Sequence, residues 1–148
     1  MVDYVFYPIS LEDILNIEKW TYDGYLKKIL MEPYHINFAC SGKYKGPDFC
    51  DGFSVHLGKE LFGLFEYYHR NDFVEIGLAI NPKYIGKGYS KSFIEAGISF
   101  LKQYFSYQKD YICLTVDKEN LQAYKAYLKS GFFVVNEFED EILMRKNI

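Results

Sequence analysis

Polar and apolar positions alternate over residues 2–9, and strand-like runs return at 53–57, 61–68 and 73–80. The last three are separated by Gly58-Lys59-Glu60 and by His69-Arg70-Asn71-Asp72, both suited to hairpin connections, so an antiparallel meander is expected there. Ser10 and Asp13 read as a helix cap ahead of Leu11, Ile14, Leu15 and Ile17. A second helix is predicted over 21–31, where Tyr22, Tyr25, Leu26, Ile29 and Leu30 recur at steps of three and four before Pro33 ends it. Residues 32–51 break into Pro, Gly, Ser and Asp between aromatics and read as a long surface loop. Past a glycine segment, Phe93, Ile94, Gly97, Ile98, Leu101, Tyr104 and Phe105 keep a helical period over 89–105. A short strand at 111–116 follows, then a helix at 119–129 stopped by Gly131 in a left-handed conformation, and a final hairpin from 132–138 and 141–144.

The totals narrow the class. A chain of 148 residues fits one domain with a substantial core, and 49% hydrophobic with 20% aromatic residues excludes a disordered protein. The net charge of -3 is dispersed, without the basic stripe of a nucleic-acid binder or a polybasic membrane anchor. No run approaches the ~18 apolar residues of a membrane span, and the first residues have neither a basic leader nor a small-residue cleavage site. A cytoplasmic protein is expected. Cys40, Cys50 and Cys113 lack metal-knuckle spacing and read as buried reduced thiols; His35, His56 and His69 have no second ligand at binding distance in sequence, so no metal is expected.

Two segments carry chemistry. Asn81-Pro-Lys-Tyr-Ile-Gly-Lys-Gly-Tyr-Ser90 follows a strand and opens a helix, so Gly86 and Gly88 let the backbone approach a ligand and aim successive N–H groups at one anion. A pyrophosphate suits such a cradle, with Lys83 and Lys87 either adding charge or simply solvated. A dinucleotide fingerprint is excluded because the segment follows a meander and Ser90 stands where a third small residue belongs, and a P-loop is excluded because Gly-Lys-Ser/Thr is missing at its spacing. On the helix at 119–129, Asn120, Tyr124 and Tyr127 share one face beside Ala123 and Ala126. That face is either a functional polar row or an N-cap followed by core-edge tyrosines.

Taken together, Lys83-Tyr-Ile-Gly-Lys-Gly88 and Asn120-Leu-Gln-Ala-Tyr-Lys-Ala-Tyr-Leu-Lys-Ser-Gly-Phe132 resemble the acyl-CoA site of the GCN5-related N-acetyltransferases, whose core motif is Gln/Arg-x-x-Gly-x-Gly/Ala after a strand. The resemblance covers the element order of the whole chain. It implies an α/β (α+β) fold with a mixed, mostly antiparallel six- to seven-stranded sheet flanked by about four helices, and acetyl-CoA as co-substrate without a metal. It also implies that the backbone of Leu78, Ala79 and Ile80 bonds the pantetheine arm, that Ile85, Gly86, Lys87, Gly88, Tyr89 and Ser90 hold the pyrophosphate, and that Asn120 contacts the cofactor. Tyr127 is implied as general acid: attack of an amine on a thioester gives a tetrahedral intermediate that expels CoA thiolate, which a nearby phenol can protonate or stabilise. Lys83 and Ile85 depart from the residues frequent at their positions, which weakens side-chain help at the phosphates and leaves the backbone cradle.

The base is open. Relatives such as the ribosomal-protein alanine acetyltransferases carry a Glu five residues before the helix Asn, and Thr115 stands there. A turn centred on Asn71-Asp72 pairs Tyr68 with Glu75 and Glu66 with Gly77, placing Glu66 and Glu75 on one face as candidate bases, unless a bulge flips the parity or both are plain surface residues. The resemblance implies that the acceptor, a small-molecule amine or a peptide, approaches beside residues 20–51 and 136–141, where Tyr22, Tyr25, Tyr34, Tyr44 and Phe49 accompany Glu137, Glu139, Asp140 and Glu141, an acidic cluster that either attracts a cationic amine or is a solubilising hairpin tip. A non-catalytic acyl-CoA-binding or regulatory module is the alternative to an enzyme, acetylation of aminoacyl-tRNA fits the acidic balance poorly, and an aromatic-rich surface would suit a homodimer.

Overall fold

The computed structural model describes residues 2–148. In chain order the elements are β1 (Tyr4–Pro8), α1 (Leu11–Ile17), α2 (Glu32–Ser41), β2 (Asp51–Leu57), β3 (Glu60–His69), β4 (Val74–Ile80), α3 (Ser90–Tyr104), β5 (Tyr111–Asp117), α4 (Leu121–Lys129), β6 (Phe133–Glu137) and β7 (Glu141–Asn147). Short 3-10 turns lie at Pro47–Phe49 and Pro82–Tyr84. The strands form a seven-stranded mixed sheet in the order β1-β2-β3-β4-β5-β7-β6, antiparallel between β1 and β2, β2 and β3, β5 and β7, and β6 and β7, and parallel between β4 and β5.

The chain divides into two compact units: one holds the described residues up to Tyr68 with Gly77–Ile85, the other His69–Ile76 with Gly86–Ile148. In the first unit Ile9, Ile14, Ile17, Trp20, Met31, Tyr34 and Leu64 form a core, joined by partly buried Tyr22, Ile29, Tyr44, Leu61 and Ala79. Ser10 caps α1 as expected, its hydroxyl accepting from the Asp13 amide at 3.3 Å. β3 is buried continuously from Phe62 to Tyr67, as in a strand covered on both faces. In the second unit α3 buries Phe93, Ile94, Gly97, Ile98 and Leu101, and β5 buries Ile112, Leu114 and Val116 at alternate positions. Gly131 takes φ 96° directly after α4, the left-handed stop read from the sequence.

One expectation fails. Residues 21–30 are not helical: Gly24 turns the chain at φ 77° and Tyr22 bridges to Tyr25. The helical spacing there does not correspond to a buried face, since Leu26 is 91% and Leu30 59% exposed. The helix instead occupies Glu32–Ser41, inside the predicted loop, with Pro33 in its first turn. Proline fits there because the N–H it lacks would be unpaired anyway, so Pro33 starts this helix instead of ending the previous one. α2 escapes a periodicity reading because Tyr34 is its one buried residue. The cysteines also divide: Cys50 and Cys113 are buried, whereas Cys40 is exposed on α2.

Candidate active site

In the second unit, Gly86 and Gly88 adopt φ 76° and 82°, conformations that carry a penalty for residues with a Cβ. A Cβ at either would meet nothing within 4 Å, so the glycines are there for backbone conformation and for open space above the turn. Gly86, Lys87 and Gly88 are exposed and lead into α3, a 15-residue helix whose N-terminus has no side-chain cap. Its first-turn amides, left without a side-chain cap, and the helix dipole favour an anion at this end, which fits a phosphate-bearing ligand. Ser90, the first residue of α3, is partly buried, while the carbonyl of the preceding Tyr89 accepts from the Phe93 N–H at 2.9 Å. Ile85, in the first unit, has its own amide committed to the Pro82 carbonyl at 3.2 Å, and Lys83 is ion-paired with Glu60, to which Tyr84 also donates. Of the two lysines near the glycines, Lys83 is thus committed to Glu60.

α4 supplies the phenol. Asn120 caps it, its side-chain oxygen accepting from the Ala123 amide at 3.3 Å, so the structural role foreseen for this residue is present. Tyr127 is partly buried and packs edge-on against Phe132, with ring centroids 5.8 Å apart. Desolvation pushes its phenol up to about 12. Such a group keeps its proton at any ordinary working pH. Against an ordinary thiol near ~8.5 full transfer runs uphill, so a hydrogen bond to developing negative charge would be its main contribution.

The two candidate bases sit in opposite surroundings. Glu75, in the second unit, accepts from Arg70 at 3.1 Å (Nε) and 3.0 Å (Nη2) and from the Thr115 hydroxyl at 3.1 Å. Thr115, the position left without a glutamate, is thus the residue over which the Glu75 carboxylate reaches. Glu66, in the first unit, is only 8% exposed and has no cationic partner among the contacts that define it. It accepts from the Tyr34 hydroxyl at 2.5 Å and from Tyr68 at 3.1 Å. Burial pushes its carboxyl above the usual range, against the opposing pull of hydrogen bonds from Tyr34, Tyr68 and Cys50. A Cβ on Gly77 would lie 3.1 Å from Glu66 Oε1, which agrees with the cross-strand pairing of Glu66 with Gly77. On β4, Leu78 and Ala79 are partly buried and Ile80 is buried, its carbonyl accepting from Tyr22 at 2.6 Å.

The expected acceptor aromatics separate. Tyr34 is fully buried and belongs to the core, a correction to its reading as a substrate-facing ring. Phe49 is 50% exposed, with Lys45 5.4 Å above its ring, and Tyr44 stacks on Phe38 at 4.2 Å. Glu137, Glu139, Asp140 and Glu141 are all exposed at the β6–β7 hairpin. Tyr34 as a partner of Glu66 had no signal in the sequence, because that contact spans 32 positions, whereas Tyr68 lies two residues away on the same strand.

No helix among the described residues is long and apolar enough to cross a membrane, and no group of three or more His, Cys, Asp or Glu among them could hold a metal ion. No curated protein matches the sequence. Solved structures do match its fold. A spermidine N-acetyltransferase from Vibrio cholerae, in complex with CoA and spermine, is 20% identical with a TM-score of 0.69, covering 97% of this chain and 95% of that one. An aminoglycoside N(6')acetyltransferase from Legionella pneumophila is 16% identical with a TM-score of 0.75 over 99% and 93% of the two chains. The Campylobacter jejuni N-acetyltransferase PseH is 17% identical with a TM-score of 0.69 over 97% of each. The sequence profile of the Acetyltransferase (GNAT) domain matches residues 17–133, so the chain belongs to the GNAT acetyltransferase family.

Proposed function

We propose that the protein transfers the acetyl group of acetyl-CoA to a primary amine, on a small molecule or a peptide N-terminus, by direct attack with both substrates bound. The observation that carries this reading is the turn of two left-handed glycines, Gly86 and Gly88, ahead of the uncapped N-terminus of α3 in a chain of this family. Gly86, Lys87, Gly88, Tyr89 and Ser90 would hold the diphosphate, with the main chain of Leu78, Ala79 and Ile80 alongside the pantetheine arm and Asn120 as a further contact. Acetyl-CoA supplies the activated acyl group as a thioester. Tyr127 donates a hydrogen bond to the departing sulfur, and Glu66 or Glu75 takes the proton that the acceptor nitrogen must lose. The structural neighbours support an amine acceptor, since their names give spermidine and aminoglycoside as substrates. Four exposed acidic residues on the last hairpin would draw such cations.

Calorimetry with CoA and thiol release over a panel of spermidine, spermine, an aminoglycoside and a short peptide test the reading. CoA binding together with release dependent on at least one amine is expected. CoA binding without turnover on any amine would instead leave a binding module.

A further inference from the structure

Glu66 poses a physical problem that its fold position does not explain. A buried carboxyl is costly, and an apolar side chain of similar volume would pack there without that cost. Its cation-free setting is nevertheless built with care. The titratable groups facing it are Tyr34 from α2, Cys50 just before β2, and Tyr68 two residues further along β3. β2 and β4 present glycines instead: Gly52 is its cross-strand partner, and at Gly77 a Cβ would come within 3.1 Å of Glu66 Oε1. A Cβ at Gly52 would meet the Tyr34 ring at 2.8 Å, and one at Gly46 would meet it at 2.6 Å. The turn carrying Gly46 and Cys50 also holds Asp48 and Phe49 at φ 53° and 59°, a left-handed pair of non-glycine residues that is costly to maintain. Three glycines and a strained turn thus clear room for one phenol on one carboxyl.

Tyr34 is sealed in the core, but Tyr68 is only partly buried, and it bonds the other carboxyl oxygen. We infer that Tyr68 and Glu66 form a two-step proton exit for the acceptor amine, with Tyr34 as the positioning residue that fixes the Glu66 carboxyl. This rests on the N-acetyltransferase reading above. The ammonium form of the acceptor passes one proton to Tyr68 Oη as the Tyr68 hydroxyl proton moves to Glu66 Oε1. The phenol remains neutral throughout, the nitrogen keeps the freed electron pair for attack on the thioester carbon, and Glu66 later returns its proton to solvent. Glu75 is less suited, because its carboxylate is ion-paired with Arg70 and taking up a proton would break that pair, whereas Glu66 meets only neutral donors.

The test is the pH dependence of kcat/KM for the best amine of the panel, with a carboxyl-carbon NMR titration of Glu66, assigned by difference from Glu66→Gln, as a readout independent of turnover. Activity rises with pH as the carboxyl loses its proton. Removing a phenol that stabilises the carboxylate raises its titration, so Tyr34→Phe should move both the rising limb and the NMR midpoint to higher pH, with the plateau kcat reduced less than about threefold. Tyr68→Phe should lower plateau kcat by about tenfold or more, and Glu66→Gln by about a hundredfold with loss of the limb. A wild-type limb retained in Glu66→Gln, or unmoved in Tyr34→Phe while the NMR midpoint moves, would overturn the inference. No turnover by wild-type protein on any amine would instead defeat the N-acetyltransferase reading itself.

Discussion

Glu66 and Glu75 are the same residue type in two compact units, held by opposite means. Glu75 lies between a guanidinium and a hydroxyl, in a partly exposed place where its charge is matched. Glu66 lies under two phenols and a thiol, where its charge is solvated by hydrogen bonds but not neutralised. The first arrangement is an ordinary way to anchor a strand. The second raises a carboxyl's affinity for a proton through burial, which is a property a base requires and a structural anchor does not.

The sharpest way to break this contrast is to fill the space under Tyr34. Gly52→Ala would drive a methyl into that ring, and we expect a loss of about 3 kcal/mol, read as a fall in urea midpoint. Next comes Glu66→Gln. The carboxyl is raised in the folded state, so the fold binds its proton more tightly than the unfolded chain does, and stability must decline as pH rises from the ordinary carboxyl range through the raised value. Thermal melts followed upward from the ordinary carboxyl range should show that decline in the wild type and a flatter profile in the variant. An equal decline in both would place the titration elsewhere. Arg70→Gln, on the other side of the comparison, should cost about 1 kcal/mol or less and become milder still in high salt, because the pair is partly exposed. The smallest effect is expected from Ser54→Ala. Its buried hydroxyl finds no partner among the described residues, so removal should change stability by no more than about 0.5 kcal/mol, in either direction.

The sequence announced one of these regions far better than the other. The glycine turn, the amphipathic run at Phe93, Ile94, Gly97, Ile98 and Leu101, and the stop at Gly131 are local signals, each set by the conformation of a few neighbouring residues. The facing of Glu66 and Gly77 followed from counting outward from Asn71-Asp72, and the Arg70 amide does bond the Phe73 carbonyl across that turn at 2.9 Å. The Tyr34–Glu66 pair depended on α2, and α2 was hidden twice. Pro33 carries the same letter whether it opens or closes a helix, and a helix with one buried residue leaves no period. The left-handed pair Asp48 and Phe49 was equally silent, because nothing in their side chains requests that conformation. What sequence could not carry were contacts that only tertiary structure imposes.

Every assignment of roles depends on whether a thioester carrier docks at the turn of Gly86 and Gly88 and delivers its acyl group to an amine. Single-turnover thiol release, with acetyl-CoA preloaded and an amine from the panel added, measures this for the wild type and Tyr127→Phe side by side. The account predicts amine-dependent release in the wild type, slowed by about tenfold or more in the variant with CoA affinity unchanged. Release at the same rate in both, or no dependence on amine at all, would contradict it.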